Sequence, residues 1–285
     1  MRRVLRVIKY KVAAAEDGLP LGRFLQRRGY SQQMLTDLKK DGLAVEGLFH
    51  RLIDPVREGE KITVSVLPEQ SGLRPNPLLK AEILYEDEDY LVFDKPADML
   101  VHPCAKQFDD ALGNYFAALY PDLLFRPLGR LDRNTTGAVL VAKHRLAAGL
   151  VKDVQKQYAA IAEGQLEQAQ GQIELPLIRV GGKVIKQEVS EQGKYALTYY
   201  SVLRYLPAHT LVSLSLATGR THQIRAHLAA IGHPLAGDTL YGGKTDLMTR
   251  SALHCSKIEF YQPIIQKMLK IEAPLPEDMQ KIWQT

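Results

Sequence analysis

The chain is predicted to be an α+β protein: a sheet-based body preceded by a small α/β unit. Strand-like and helix-like segments are mixed without a strict βαβ alternation, which argues against a doubly wound sheet. Residues 68–79 hold three prolines and show no periodicity, as expected of a linker between two units. A composition of 46% hydrophobic and 24% charged residues is that of an ordinary globular protein rather than a disordered one. The expected organisation is therefore a unit at 1–67, a linker at 68–79 and a body at 80–285.

The first unit opens with Leu21, Phe24 and Leu25 on one helical face, followed by a second helix marked by Met34, Leu35 and Leu38. Ser31 is a candidate N-cap for that helix and Gly42 its stop. Short strands are expected at 43–45 and 61–67, and Arg23, Arg27, Arg28, Lys39, Lys40 and Arg51 decorate the unit. In the body, 83–85 and 90–94 read as strands, 112–119 as a helix ended by Pro121, and 138–142 as a buried strand. A helix over 146–154, strands at 158–163, 198–205 and 210–216, and a helix over 221–231 closed by Gly232 follow. No internal repeat or low-complexity tract interrupts them.

The chain has 285 residues and a net charge of +5, with a pI near 9.0, a mild bias toward polyanionic partners. Its two cysteines, Cys104 and Cys255, are far apart, so neither a zinc site nor a disulfide framework is expected. The basic start, Arg2 and Arg3, lacks the apolar core of an export leader, and no apolar run approaches membrane-spanning length. A cytoplasmic location without membrane contact is expected.

Four segments carry chemistry. Leu128-Gly129-Arg130-Leu131-Asp132-Arg133-Asn134-Thr135-Thr136-Gly137 brings a lone carboxylate between arginines at the mouth of the buried strand. Neighbouring guanidinium groups favour the charged form of such a group, which fits a nucleophile or general base. A purely turn-forming role for Asp132 and Asn134 stays open. Ala217-Thr218-Gly219-Arg220-Thr221-His222-Gln223-Ile224-Arg225-Ala226-His227-Leu228 turns a strand into a helix with Ile224, Leu228 and Ile231 on its apolar face. His222 and Arg225, three residues apart, can meet one partner at an anion-attracting helix start, while His227 is expected to pack at the surface. Lys156-Gln157-Tyr158 opens a strand with a ring that suits either base stacking or a sheet face. Asp94-Lys95-Pro96-Ala97-Asp98-Met99-Leu100-Val101-His102-Pro103 is a proline-stiffened turn whose Lys95 and His102 suit phosphate. No G-x-S-x-G elbow or paired-carboxylate signature supports a hydrolase.

Together these segments resemble the RluA-type pseudouridine synthases in order and spacing, a combination far more specific than any one piece. Gly232-His233-Pro234-Leu235-Ala236-Gly237-Asp238-Thr239-Leu240-Tyr241-Gly242 extends the resemblance, as do Leu253-His254 and Ala273-Pro274-Leu275-Pro276. Residues 18–66 resemble the S-four-type RNA-binding module that often precedes this catalytic domain. The resemblance implies a mixed, largely antiparallel central sheet with flanking helices, and isomerisation of uridine in RNA without cofactor or metal. It makes Asp132 the catalytic aspartate. Arg130 enters the RNA stack, Tyr158 stacks on the uracil and assists proton removal, and Arg225 pairs with Asp132. Arg220, His222 and Lys95 are the further RNA contacts expected. Ribosomal RNA is favoured over transfer RNA as the partner, and a monomer is the simplest assembly. Gly129 stands where many members have His, Thr136 where they have Ser, and Asp98 where they have Gly; Asp tolerates the left-handed backbone that turn needs. Ser31-Gln32-Gln33 lacks the arginine usual after the serine, which lowers the RNA affinity expected of the module.

Overall fold

A computed structural model of the chain describes residues 5–41, 43–69, 71–103, 109–182 and 185–283, without the side chains at 39–41, 44 and 45. Cys104, Arg2, Arg3 and the Gly42 stop lie outside that set, as do the side chains of Lys39 and Lys40. The N-terminal unit is built from β1 (Arg6–Lys11), α1 (Leu21–Gln26), α2 (Gln32–Asp41), β2 (Leu43–Val45), β3 (Leu48–Phe49) and β4 (Lys61–Val66). Its four strands pair antiparallel in the order β1-β4-β2-β3. Leu21, Phe24 and Leu25 are fully buried, so the helical face read from their spacing is the core face. Ser31 caps α2, its Oγ accepting from the Met34 amide at 3.3 Å. Arg28 is not free for a ligand: it is bidentate on Glu16 at 2.7 and 3.0 Å and lies 3.6 Å over the Phe24 ring.

This unit is fastened to the body. Its apolar cluster includes Leu146 and Leu150 from the far side of the linker, and Arg6 bonds the buried Asp89 at 3.1 Å. The described residues of 68–79 are irregular and docked on the body. Glu69 pairs with Arg126 at 2.5 Å, and the Asn76 amide donates to the Asp109 carbonyl at 2.6 Å.

The body's strands are β5 (Glu82–Glu86), β6 (Tyr90–Lys95), β7 (Arg126–Pro127), β8 (Thr136–Ala142), β9 (Gln155–Glu163), β10 (Gln170–Glu174), β11 (Leu177–Val180), β12 (Lys186–Val189), β13 (Leu197–Tyr205), β14 (His209–Leu216), β15 (Leu253–Gln262) and β16 (Lys267–Glu272). Ten of them form one sheet with the path β10-β13-β14-β9-β15-β8-β6-β5; β16 joins β15 and β7 joins β8. Every pairing is antiparallel except β15 with β8, so the sheet is mixed and largely antiparallel. Flanking it are α3 (Leu112–Leu119), α4 (Arg145–Leu150), α5 (Gln223–Ala230) and α6 (Glu277–Trp283). The expected helix over 146–154 ends four residues early, because Val151 is already extended (φ −71°, ψ 137°) and the chain must reach β9 by Gln155.

The central crossing positions the chemistry. All seven residues of β8 are buried, and His254 and Cys255 of β15 lie beside Thr136 and Gly137 in parallel register. A Cβ on Gly137 (φ 106°) would sit 2.3 Å from the Cys255 carbonyl oxygen, so only glycine permits this approach. The fully buried His254 donates from Nε2 to the Ala273 carbonyl (3.2 Å) and accepts on Nδ1 from the Thr136 hydroxyl (2.8 Å). Burial pulls its pKa down to about 4, so the folded protein keeps the ring neutral. The unfolded chain, with an ordinary histidine near 6.5, takes up the proton first as pH falls. Stability from this residue is intact above pH 6.5 and drains between about 6.5 and 4. From pH 7 to pH 5 the loss is about 2 kcal/mol. Urea denaturation at both pH values measures it, and His254→Gln is expected to show a correspondingly smaller pH sensitivity.

Candidate active site

One cleft of about 360 Å³ is lined by Asp132, Tyr158 and Arg225 together with Arg130, Arg220 and His222. Four stretches of backbone meet there: the 128–135 loop ahead of β8, the start of β9, the turn from β14 into α5, and Leu253 at the start of β15.

The loop is pinned from beneath. Leu131 is buried, and the Thr135 amide donates to the Asp132 carbonyl at 3.1 Å, closing a turn that leaves the Asp132 side chain 26% exposed in the cleft. Lys95 is part of this support rather than a contact for RNA. It is fully buried, and its ammonium donates to the carbonyls of Met99 (2.7 Å), Pro96 (2.8 Å) and Arg133 (3.0 Å). All three donors are thus used, burial pulls the pKa down to about 7, and the side chain does not reach the cleft. Asp98 takes the left-handed conformation (φ 57°) that its place in the turn requires, and it pairs with Arg133 at 3.2 Å. From the other side Arg250, held bidentate by Asp278 at 2.7 and 2.8 Å, reaches the Asn134 carbonyl at 3.3 Å.

The helix begins two residues later than its sequence pattern suggests, because His222 adopts a left-handed backbone (φ 53°) as its N-cap. Gln223 organises the turn: its Oε1 accepts from the Arg220 amide (3.0 Å) and the Thr218 hydroxyl (2.8 Å), while Nε2 donates to the Leu197 carbonyl (3.0 Å). Ile224 and Leu228 are buried, whereas Ile231 at the C-cap is exposed. His227 is not a surface residue. It is fully buried, donating from Nε2 to the Leu175 carbonyl and accepting on Nδ1 from the Thr198 hydroxyl, both at 2.9 Å, and so fixes α5 to the sheet.

Arg225 lies 3.4 Å from the Asp132 carboxylate through Nη1, but its principal partner is a residue given no role by the sequence reading. Nε and Nη2 form a bidentate pair with the buried Asp238 at 2.6 and 2.8 Å, and the guanidinium lies 5.1 Å from the Tyr241 ring centroid. Burial opposes the charge, yet hydrogen bonding to Asp238 together with the attraction of the Asp238 and Asp132 carboxylates outweighs it and raises the pKa above the ordinary value. Asp238 therefore sets the position of Arg225, and Arg225 presents its remaining edge to Asp132. His222 Nε2 stands 3.7 Å from Asp132, too far for a hydrogen bond, and its Nδ1 is 3.2 Å from the Tyr241 hydroxyl. Burial lowers the His222 pKa against the raising influence of Asp132, leaving the ring neutral near pH 7.

Tyr158 is buried on β9, and its hydroxyl makes no hydrogen bond to any described residue. Burial, with Cys255 and Asp132 nearby, pushes its pKa well above 10, so the cleft holds a neutral phenol rather than a phenolate. Arg130 and Arg220 stand exposed at the edges. A carboxylate, an apolar ring and exposed cations thus share a space suited to one polar, planar, anionic ligand. Among the described residues, no group of three or more histidines, cysteines, aspartates and glutamates is gathered to hold a metal. Asp238 and Tyr241 had a signal in the Gly237-Asp238 and Tyr241-Gly242 pairs, but nothing local marks which charge they serve.

Residues 89–230 match the family model described as RNA pseudouridylate synthase. Over 270 residues the chain is 36% identical to the uncharacterized RNA pseudouridine synthase YjbO of Bacillus subtilis, covering 89% of this chain and 94% of that protein. It is 37% identical over 274 residues to ribosomal large subunit pseudouridine synthase D of Pseudomonas aeruginosa, covering 87% and 85% of the two chains. The solved structure of human RNA pseudouridylate synthase domain containing 1 superposes with a TM-score of 0.58 at 26% identity, over 74% of this chain and 96% of that one.

Proposed function

The chain belongs to the RluA-type RNA pseudouridine synthases, isomerases of uridine in RNA, and on that premise we propose that Asp132 is its catalytic carboxylate and acts without a cofactor. The observation that carries this reading is the convergence of Asp132, Tyr158 and Arg225 on one cleft.

The target uridine leaves the RNA stack to enter that cleft, as a base must before an enzyme can work on it. The bond from ribose C1′ to N1 breaks, the uracil turns, C5 bonds to C1′ and the C5 proton departs. Bonds broken and formed balance within the substrate, so no external reactant is consumed. Asp132 attacks the ribose, attacks the ring or removes the ribose 2′ proton; all three need a carboxylate held beside the C1′–N1 bond. Tyr158 supplies the face on which the uracil lies and a hydroxyl near C5. Arg130 and Arg220 take backbone phosphates, so binding weakens with salt. The names of the relatives favour large-subunit ribosomal RNA over transfer RNA, and a cytoplasmic site of action follows from such a substrate. We assign the N-terminal unit, with Arg23 exposed on α1 and Arg27 exposed at its C-cap, to an auxiliary RNA-binding role.

The test is nucleoside mass spectrometry on RNA from cells lacking the gene, before and after incubation with the purified protein. A gain of pseudouridine supports the reading, and binding without a gain replaces it with that of a non-catalytic RNA-binding factor. Tyr158→Phe is expected to cut turnover by about two orders of magnitude, the scale of a lost proton-transfer group. Its RNA affinity should stay near wild type, and equal turnover would remove Tyr158 from the mechanism.

A further inference from the structure

Among the described residues, the cleft holds one half-buried cation with no hydrogen bond or salt bridge from the protein, Lys156. Arg225 is engaged by Asp238 and Asp132, and Arg130 and Arg220 stand exposed where phosphates pass. Lys156 differs from all of them. It lies on β9 two residues before Tyr158, and side chains at that spacing project from the same face of a strand. Its ammonium lines the cleft, half-buried, and makes no hydrogen bond or salt bridge to any described residue. It reaches under the 128–135 loop so closely that a Cβ added at Gly129 would come within 2.6 Å of Nζ. Gly129, itself at φ 105°, leaves the space that the ammonium uses. Burial lowers the Lys156 pKa against the smaller raising influence of Cys255, which means that water has been removed from the charge and no hydrogen bond from a described residue replaces it.

We propose that Lys156 is a further substrate-contacting residue of this site, its ammonium placed against the negative charge that the uracil acquires when the C1′–N1 bond breaks. The inference rests on the pseudouridine synthase reading. When that bond breaks, its electron pair stays with the uracil and spreads over N1 and the two ring carbonyl oxygens. The ribose carbon is taken by Asp132 or becomes an alkene by losing its 2′ proton. A fixed cation in a site of reduced water access stabilises the first of these charges while the ring turns, and it is released from the charge once C5 bonds to C1′. No proton moves to or from Lys156. The position beside Tyr158 favours the base over a phosphate, because the base is the part of the nucleotide that lies on that ring. The half-buried setting does too, since phosphates keep to the rim where Arg130 and Arg220 are.

The test compares Lys156→Met, Lys156→Gln and Lys156→Arg in the full chain, with enzyme in excess over RNA from cells lacking the gene. The proposal expects Lys156→Met and Lys156→Gln to slow pseudouridine formation by about 100-fold, the scale for removing one group that stabilises developing charge. RNA affinity is expected to stay within about threefold of wild type, and Lys156→Arg to recover part of the rate. A weakened affinity with a shallower salt dependence and an unchanged rate at saturation would make Lys156 a phosphate contact and overturn the proposal. Wild-type rates in both neutral variants would overturn it as well. If Lys156→Met fails to fold by near-ultraviolet circular dichroism, the polar Lys156→Gln decides. An inactive Asp132→Asn beside fully active lysine variants would sink this inference alone, whereas an active Asp132→Asn would sink the reading beneath it.

Discussion

Asp132→Asn is expected to lower pseudouridine formation by at least about three orders of magnitude, with little change in stability. Asparagine preserves the size of the side chain and one acceptor for Arg225 Nη1, now 3.4 Å away, but it has no carboxylate with which to attack or to take a proton. In most ion pairs, neutralising one partner strands the other charge. Here Arg225 keeps its bidentate contact with Asp238, so the guanidinium stays compensated and the cleft keeps its shape. Nucleoside mass spectrometry at enzyme excess reads the rate, and urea denaturation reads the fold. A variant that retains a tenth of the wild-type rate would remove Asp132 from the chemistry. One that is strongly destabilised would show that Asp132, not Asp238, carries the charge balance of Arg225.

The parts of this molecule legible in the sequence are those whose signal is local. Phe24 and Leu25, the buried run 138–142 and the helix around Ile224 and Leu228 announce themselves by periodicity, and each is buried as that periodicity requires. The cleft residues were reachable because Arg130, Asp132, Tyr158, His222 and Arg225 sit in short stretches with a recognisable order. What stayed hidden is long-range. β15 and β16 resemble ordinary alternating segments, and nothing in them says that β15 lies between β9 and β8 at the centre of the sheet. β1 is hidden because three of its six residues are basic, with Lys9 and Lys11 exposed and Arg6 turned onto Asp89, which reads as a charged tail until β4 pairs with it. Lys95 illustrates the converse error. A lysine beside a proline turn suggests a surface cation, and only the three carbonyls converging on it turn that cation into a buried fastening for the catalytic loop. His227 was misjudged for the same reason, since its partners Thr198 and Leu175 are distant in the chain.

The second large effect is expected at Asp238, which touches no substrate in this reading. Asp238→Asn removes the charge that holds Arg225 while leaving the guanidinium only 12% exposed, and breaking a buried pair from one side costs about 3 kcal/mol. The remaining carboxylate within reach is Asp132, so Arg225 is expected to turn onto it and convert a 3.4 Å approach into a direct pair. A carboxylate tied in that way is a poorer nucleophile and base, and the rate is expected to fall by about 100-fold beyond what the stability loss explains. Two measurements separate the electrostatic account from general damage. Arg225→Met combined with Asp238→Asn removes both buried charges, so the double variant should be more stable than Asp238→Asn alone, a coupling that urea denaturation resolves. Its rate should nevertheless remain low, because Asp132 then lacks the guanidinium that orients it. If the two stability losses simply add, the pair is not the unit proposed. If Asp238→Asn keeps full activity, the position of Asp132 does not depend on what lies behind Arg225.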